Sequence, residues 1–363
     1  METFIKNIFM PRKQKIKQRS SQKIPPFWLG FQRLFSYLTS CVPRMEWLSS
    51  QVLDTLEANV EFISDPLARL PPAVRETLLK LPQIAWVTIA LFAADMLTML
   101  FIVLLAEFGW ISSITACLLL ICCMFVMFTV AHDAAHGSIS SIPTINGLIG
   151  RIASGALGPV VCFPVFRYIH HMHHKFTNHP TKDPDHFCVA GRWYTIPIRC
   201  MLVVVNYLRF YLSNISSRPW IEIAEFVVHF GCMIGIISAG IERGFGPQLM
   251  LYWIIPSMVA QICLAFFFDF IPHHQSTSTP IENRYQTTSI LQTYRFLQPV
   301  LTLLLQYQDY HLIHHLYPTI PFYRYADKWH EKQDFLLQKQ IHINSLKIEN
   351  FVPILESISS SSS

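Results

Sequence analysis

The chain has 363 residues, enough for one large domain or two ordinary ones. Hydrophobic residues make up 52% of it and charged residues only 14%, whereas soluble domains carry about 25% charge, so the composition argues against a soluble globular protein. The net charge of +5 is gathered at the N-terminus, and beside apolar spans such a run marks the cytoplasmic side or anionic headgroups rather than nucleic acid.

Residues 1–80 read as a basic cytoplasmic segment. Lys6, Arg12, Lys13, Lys15, Lys17, Arg19 and Lys23 crowd its start, with Glu2 as the only acid there. Pro25-Pro26 and the mixed stretch after them do not make a secretory signal. The acid-poor start also suits an organelle transit peptide, although Lys outnumbers Arg. Residues 81–340 read as a membrane domain. Four stretches are long and apolar enough to cross a bilayer, which takes about 20 residues: Ile84–Ala106, Ile111–Ala131, Trp220–Gly240 and Leu249–Phe270. The first two form a hairpin through a short connection, and Gly and Pro turn the chain between the last two. The basic residues Arg151, Arg167, Lys175, Lys182, Arg192 and Arg199 fall in the loop between spans two and three. The positive-inside rule therefore places both termini and this loop in the cytoplasm, consistent with an even number of spans.

Ile142–Phe166 and Tyr194–Ser213, both interrupted by Pro, Gly or Arg, are expected as interfacial or re-entrant helices, and Ile290–Tyr307 as a helix lying on the membrane. Residues 341–363 read as a tail ending in a low-complexity Ser run, partly disordered. The nine cysteines are scattered with no C-x-x-C pair, so neither a disulfide framework nor a thiolate metal site is expected.

Sixteen histidines is many for this length, and three groups stand out. His132 and His136 sit where span two ends; His170, His173 and His174 lie in the middle loop; His311, His314 and His315 follow span four. On a helix, residues at i, i+3 and i+4 share a face, so each group converges its imidazoles. The total of eight nitrogen donors exceeds what one metal takes. An all-imidazole set suits Zn, Cu, Fe or Ni, and two irons with open positions for O₂ fit the count best. His273, directly after span four, is a ninth candidate ligand. Asp269, one turn earlier, is a candidate ligand or acceptor for a metal-bound water. Asp183 and Asp185 are candidate acceptors for imidazole N–H groups. His171 and His274 point off the shared faces, and His179 and His186 sit in a turn-rich segment. Glu225 with His229, and Asp95, read as packing or pocket-lining residues inside spans; His330 and His342 read as surface.

These motifs, H-x(3)-H followed by two H-x-x-H-H boxes and a further histidine near the end of span four, resemble the membrane fatty acid desaturase and hydroxylase superfamily over roughly residues 80–335. The resemblance implies an all-α integral membrane fold: four transmembrane helices under a cytoplasmic helical cap that holds two non-haem irons. It also implies O₂-dependent oxidation of a long hydrophobic substrate. Where the desaturase branch has an Asn one turn before the extra histidine, this chain has Asp269. The block Asp309–Tyr325 is most similar to carotenoid β-ring hydroxylases of the cyanobacterial type, which makes a carotenoid hydroxylase the first expectation and an acyl desaturase the second. A transporter or metal-handling protein is a remote third, since the histidines lie at span ends and no repeat is present. No dinucleotide fingerprint or iron–sulfur run is present, so electrons are expected from a separate donor, ferredoxin or cytochrome b5 with its reductase.

Overall fold

The computed structural model describes residues 83–346, and the expectations for the basic N-terminal segment and the Ser-rich end lie outside the described residues. The described chain is predominantly helical. Five helices are long and apolar enough to cross a membrane, one more than the four stretches read from the sequence. The additional one is Trp193–Ser213, expected as an interfacial piece.

Helices α1 (Trp86–Glu107) and α2 (Ser113–Ala135) form the first hairpin. Ser112 starts α2 by accepting the Thr115 N–H at 3.0 Å, which satisfies one of the free donors of the first turn. The buried face of α2 carries Ala116, Ala131, Ala134 and Ala135 among Leu120, Met124 and Met127. Lipid tails are as apolar as these side chains, so small residues matter here because they let helices approach closely.

The stretch 142–166 folds as two helices, α3 (Pro143–Leu157) and α4, which continues to its end as Phe163–Phe176. Two glycines make the corner. Gly150 lies against the Phe163 ring, and Gly158, at φ 148°, lies against the Ser257 side chain; a β-carbon at either would overlap its neighbour. Helix α5 (Ile196–Ser213) is extended by a 3-10 turn at Trp193–Thr195. Helix α6 (Trp220–Glu242) is turned outward along its middle, with Val227, Val228 and Ile234 all more than 60% exposed. At its start Arg218 makes a paired contact with Glu222 and lies 3.8 Å from the centre of the Tyr168 ring on α4. Glu225 does not pair with His229, as its spacing suggests. Arg151 of α3 reaches across to bind both carboxylate oxygens, and His229 donates to the Pro159 carbonyl at 3.0 Å.

The last candidate span, α7 (Gly246–His273), is wound unevenly. Met250–Ile254 and Ala265–Phe270 are π-helical. Each stretch ends one residue before an Ile-Pro pair, Pro256 and Pro272. A proline inside a helix has no N–H for the preceding turn, and the helix widens to accommodate it.

The stretch 290–307 differs from the single helix expected of it. It opens in strand β1 (Ser289–Gln292), and only Gln298–Leu304 (α8) is helical. Strand β2 (His342–Ser345) lies in the segment read as the tail, yet it pairs in parallel with β1, Ser289 opposite His342 and Gln292 opposite Ser345. Between them run α9 (His311–Leu316) and α10 (Tyr325–Gln338). Leu312, Ile313, Tyr325, Trp329 and Leu336 are buried together beneath β1. Each large side chain buried this way away from water contributes roughly 1.5–3 kcal/mol.

Candidate metal centre

Four separate elements deliver histidines to one place. His132 is on the last turn of α2 and His136 caps it. His170, His173 and His174 lie along α4, His273 ends α7, and His311, His314 and His315 occupy two turns of α9. All nine sequence candidates are brought together. His132, His136, His170 and His314 form one group that could hold a metal ion, and His173, His273, His311 and His315 form a second. His174 groups with His314 and His315. Its Nε2 is 2.8 Å from His314 Nε2 and 3.2 Å from His170 Nε2, and its ring stacks on His315 with centroids 4.2 Å apart. It therefore sits between the two groups.

The outward nitrogens are fixed by other residues. His173 Nδ1 is 2.9 Å from Asp183 Oδ1 and 3.3 Å from Asp185 Oδ2. The Asp183 carboxylate also accepts the backbone N–H of Asn178 at 2.7 Å and of Asp185 at 2.9 Å. His273 Nδ1 donates to the Thr287 carbonyl at 3.3 Å, and His311 Nδ1 to Gln308 Oε1 at 2.8 Å. His314 Nδ1 is 3.0 Å from the Tyr325 hydroxyl. Such partners set the tautomer and aim the opposite nitrogen.

This arrangement meets the requirement for cations at the centre. In neutral rings, donation to a carbonyl oxygen puts the proton of His273 and of His311 on Nδ1. Each Nε2 then carries only a lone pair, and the two Nε2 atoms are 3.1 Å apart. Two buried lone pairs that close repel unless a positive ion lies between them. His136 Nε2 is likewise buried with no hydrogen-bond partner. Burial, reinforced by neighbouring imidazoles, holds His136, His170, His174, His311, His314 and His315 well below the ordinary histidine range. They are therefore neutral, as metal ligands must be. His173 differs. Burial pulls it down, but Asp185, Asp183 and Asp269 outweigh that and raise it to about 9. Burial raises Asp185 to about 6 despite the nearby His173.

Asp269 is not gathered into either histidine group. The π-helical winding of 265–270 takes it out of phase with His273, and its carboxylate accepts the Tyr207 hydroxyl at 2.9 Å and the Cys188 thiol at 3.7 Å. His171 turns aside to the Ala135 carbonyl at 3.1 Å. The sequence reading missed Gln308, Tyr325, Tyr207 and Asp133. Gln308 lies three residues before His311, one turn away, and was open to the same spacing argument as the histidines. Asp133 accepts the Thr88 hydroxyl at 2.9 Å and lies 3.3 Å from the Phe322 N–H, joining α1, α2 and the loop after α9 beside His132. Nothing in a single sequence distinguishes Tyr325, Tyr207 and Asp133 from ordinary polar residues.

Residues 108–347 match the family model described as fatty acid desaturase. Over 223 residues the chain is 26% identical to a dihydrorhizobitoxine desaturase of Bradyrhizobium elkanii, covering 54% of this chain and 60% of that protein. Over 202 residues it is 26% identical to a beta-carotene ketolase of a Paracoccus species, covering 54% and 71%. Over 218 residues it is 23% identical to a chloroplastic omega-6 fatty acid desaturase of Glycine max, covering 54% and 50%. The chain thus spans 50% to 60% of the length of these two desaturases.

Proposed function

The chain belongs to the fatty acid desaturase family, and from that premise we propose that it is a membrane non-haem di-iron oxidoreductase that uses O₂ to oxidise a lipid-soluble hydrocarbon. The observation that carries this reading is the pair of four-histidine groups, within which the Nε2 atoms of His273 and His311 face each other at 3.1 Å. His132, His136, His170 and His314 would hold one iron and His173, His273, His311 and His315 the other, with His174 adjoining both groups. Two irons, when bound, supply the O₂ activation that an unactivated C–H bond requires.

The chain's own side chains do the remaining work. Asp183, with Asp185, holds the His173 ring by its Nδ1, Gln308 and Tyr325 do the same for His311 and His314, and Asp269 stands as acceptor for a water at the centre. No acid, base or nucleophile need touch the substrate. Hydroxylation consumes O₂, two electrons and two protons and yields alcohol and water; desaturation consumes the same and yields an alkene and two waters. Ferredoxin, or cytochrome b5 with its reductase, supplies the electrons.

Parity supports four crossings rather than five. His132 and His314 are 3.0 Å apart, as Nε2 to Nε2, and His273 and His311 3.1 Å, so all lie on one side of the membrane. Three candidate helices, α5, α6 and α7, stand between His136 and His273, and only an even number of crossings returns the chain to the same side. Helix α5 carries Arg199 and Arg209 and is the one that lies along the interface, leaving residues 81–340 as a four-span domain with a helical cap. Positive charge in the 136–219 connection supports a cytoplasmic cap and cytoplasmic termini.

The finer reading is β-ring hydroxylation of a carotenoid, supported by the Asp309–Tyr325 block and by likeness to proteins named for β-carotene. Acyl desaturation is the second reading, supported by the desaturases among the relatives. Expression in a host that makes β-carotene, with pigments and acyl chains both analysed by mass spectrometry, separates them. A new ring-hydroxylated carotenoid supports the first; new acyl double bonds with untouched pigment reject it. Purified protein that holds zinc, or no metal, instead of two irons per chain would reject the di-iron reading itself.

A further inference from the structure

Helix α4 ends in a corner that serves the second histidine group twice. Its last residue is Phe176, and Asn178, two positions on, is buried with φ at 65°. Asn is one of the few side chains that tolerates such a left-handed turn. The turn brings the Asn178 backbone N–H to Asp183 Oδ2, 2.7 Å away. The other oxygen of that carboxylate holds His173 Nδ1 at 2.9 Å.

The Asn178 side chain reaches the segment that follows α7. Its Nδ2 donates to the Ser278 carbonyl at 2.9 Å and to the Thr287 carbonyl at 2.7 Å. Both partners are carbonyl oxygens, which only accept, so the NH₂ group and not Oδ1 faces them. The Thr287 carbonyl is also the acceptor for His273 Nδ1, at 3.3 Å. That contact lies just beyond the usual N–H···O range of about 2.7–3.2 Å, so the exact place of this oxygen decides how well the ring is held. Asn178 holds it from the α4 side. The Thr288 and Ser289 hydroxyls, each donating to the Pro272 carbonyl at 3.0 Å, hold the same segment against the end of α7. One residue thus supports the acceptors of two ligands that come from different helices. The first group takes its contacts elsewhere: His314 from Tyr325, and His132 and His170 from neighbouring imidazoles.

We propose that Asn178 is a positioning residue for the second metal site, aiming His173 through Asp183 and His273 through the Thr287 carbonyl while leaving the first site alone; this rests on the metal-centre reading above. Both acceptors keep the imidazole proton on Nδ1 and free Nε2 for a metal. Asn178 touches neither metal nor substrate and acts only through these two partners.

The test uses Asn178→Gly, which keeps the positive φ and the backbone N–H but removes both side-chain donors. Co(II) is titrated against a chelator into the metal-free full chain in detergent, in three backgrounds: native, His132→Ala with the first group incomplete, and His273→Ala with the second incomplete. Loss of a ligand's own partner costs about 10–100-fold in affinity, and Asn178 stands one bond further out, so a loss of about tenfold is expected. It should affect one of the two Co(II) ions in the native background, appear again in His132→Ala, and be absent from His273→Ala. Asn178→Ser, which keeps one shorter donor, should lose less, and carries the same comparison if the glycine variant does not fold. A residue that merely stabilised the fold would weaken both sites alike. Equal loss in the two histidine backgrounds, or unchanged affinity in His132→Ala, therefore overturns the proposal. Native protein that binds no Co(II) rejects the metal centre and the proposal with it. A second site weakened as expected, in a protein whose iron-loaded form makes no product, keeps the positioning role and rejects the oxidoreductase reading.

Discussion

Replacing Asp183 with Asn tests the metal centre where its geometry is most explicit. The carboxylate accepts three donors: His173 Nδ1 at 2.9 Å, the Asn178 N–H at 2.7 Å and the Asp185 N–H at 2.9 Å. An amide keeps only one accepting atom, so at least one donor faces an NH₂ group. Hydrogen bonds to charged groups contribute about 1.5–3 kcal/mol, and removing the partner of a liganding imidazole typically lowers metal affinity about 10–100-fold. Asp183→Asn should therefore weaken metal binding by at least tenfold in a chelator competition. Asp185→Asn, whose contact is longer at 3.3 Å, should do less. The pH dependence carries a second signature. In the metal-free protein His173 is held at about 9 against an ordinary 6.5, so its protonated form stabilises the fold fully below about 6.5, and this is lost as pH rises through 9. The same proton competes with metal, so affinity should climb with pH and level off near 9. Losing the Asp183 charge should move that plateau to lower pH. Native affinity with an unmoved plateau in Asp183→Asn would refute the role given to this contact.

Three further outcomes are expected. His315→Ala should abolish product formation and remove metal from the second group, as metal analysis of the purified variant will report; full activity would overturn the ligand assignment. Arg218→Met strands the buried Glu222 carboxylate, and breaking such a pair costs about 3–5 kcal/mol, so thermal unfolding in detergent should occur well below the native temperature, while Arg218→Lys should lose less. Gly158→Ala forces a β-carbon into the Ser257 side chain at a positive φ, and should destabilise by about 1–3 kcal/mol; the paired change Ser257→Gly should recover part of that loss.

The histidine groups were legible because ligand spacing and helix periodicity coincide: His170, His173 and His174 had to share a face once α4 was a helix. The hairpins were legible because lipid demands long apolar runs with short polar turns. Helix α5 was harder, because Arg199 and Arg209 interrupt a run that still has the length of a span. Strands β1 and β2 were not legible at all. Each has only four residues, and they lie 49 residues apart between their last and first positions; no local signal pairs them. Asp269 lies outside both histidine groups for a different reason. Its four-residue offset from His273 assumes regular winding, and the widened turn before Pro272 breaks that assumption.

His132 and His314 touch across 182 residues of chain. At a synthesis rate of about 5–20 residues per second, roughly 10–40 seconds separate their emergence from the ribosome. For that interval the earlier histidines are made and their partners are not, so neither four-histidine group is complete until α9 has been translated. Loading has to wait for α9, and a nascent chain stalled before His311 should carry little tightly held metal however well its first hairpin has inserted.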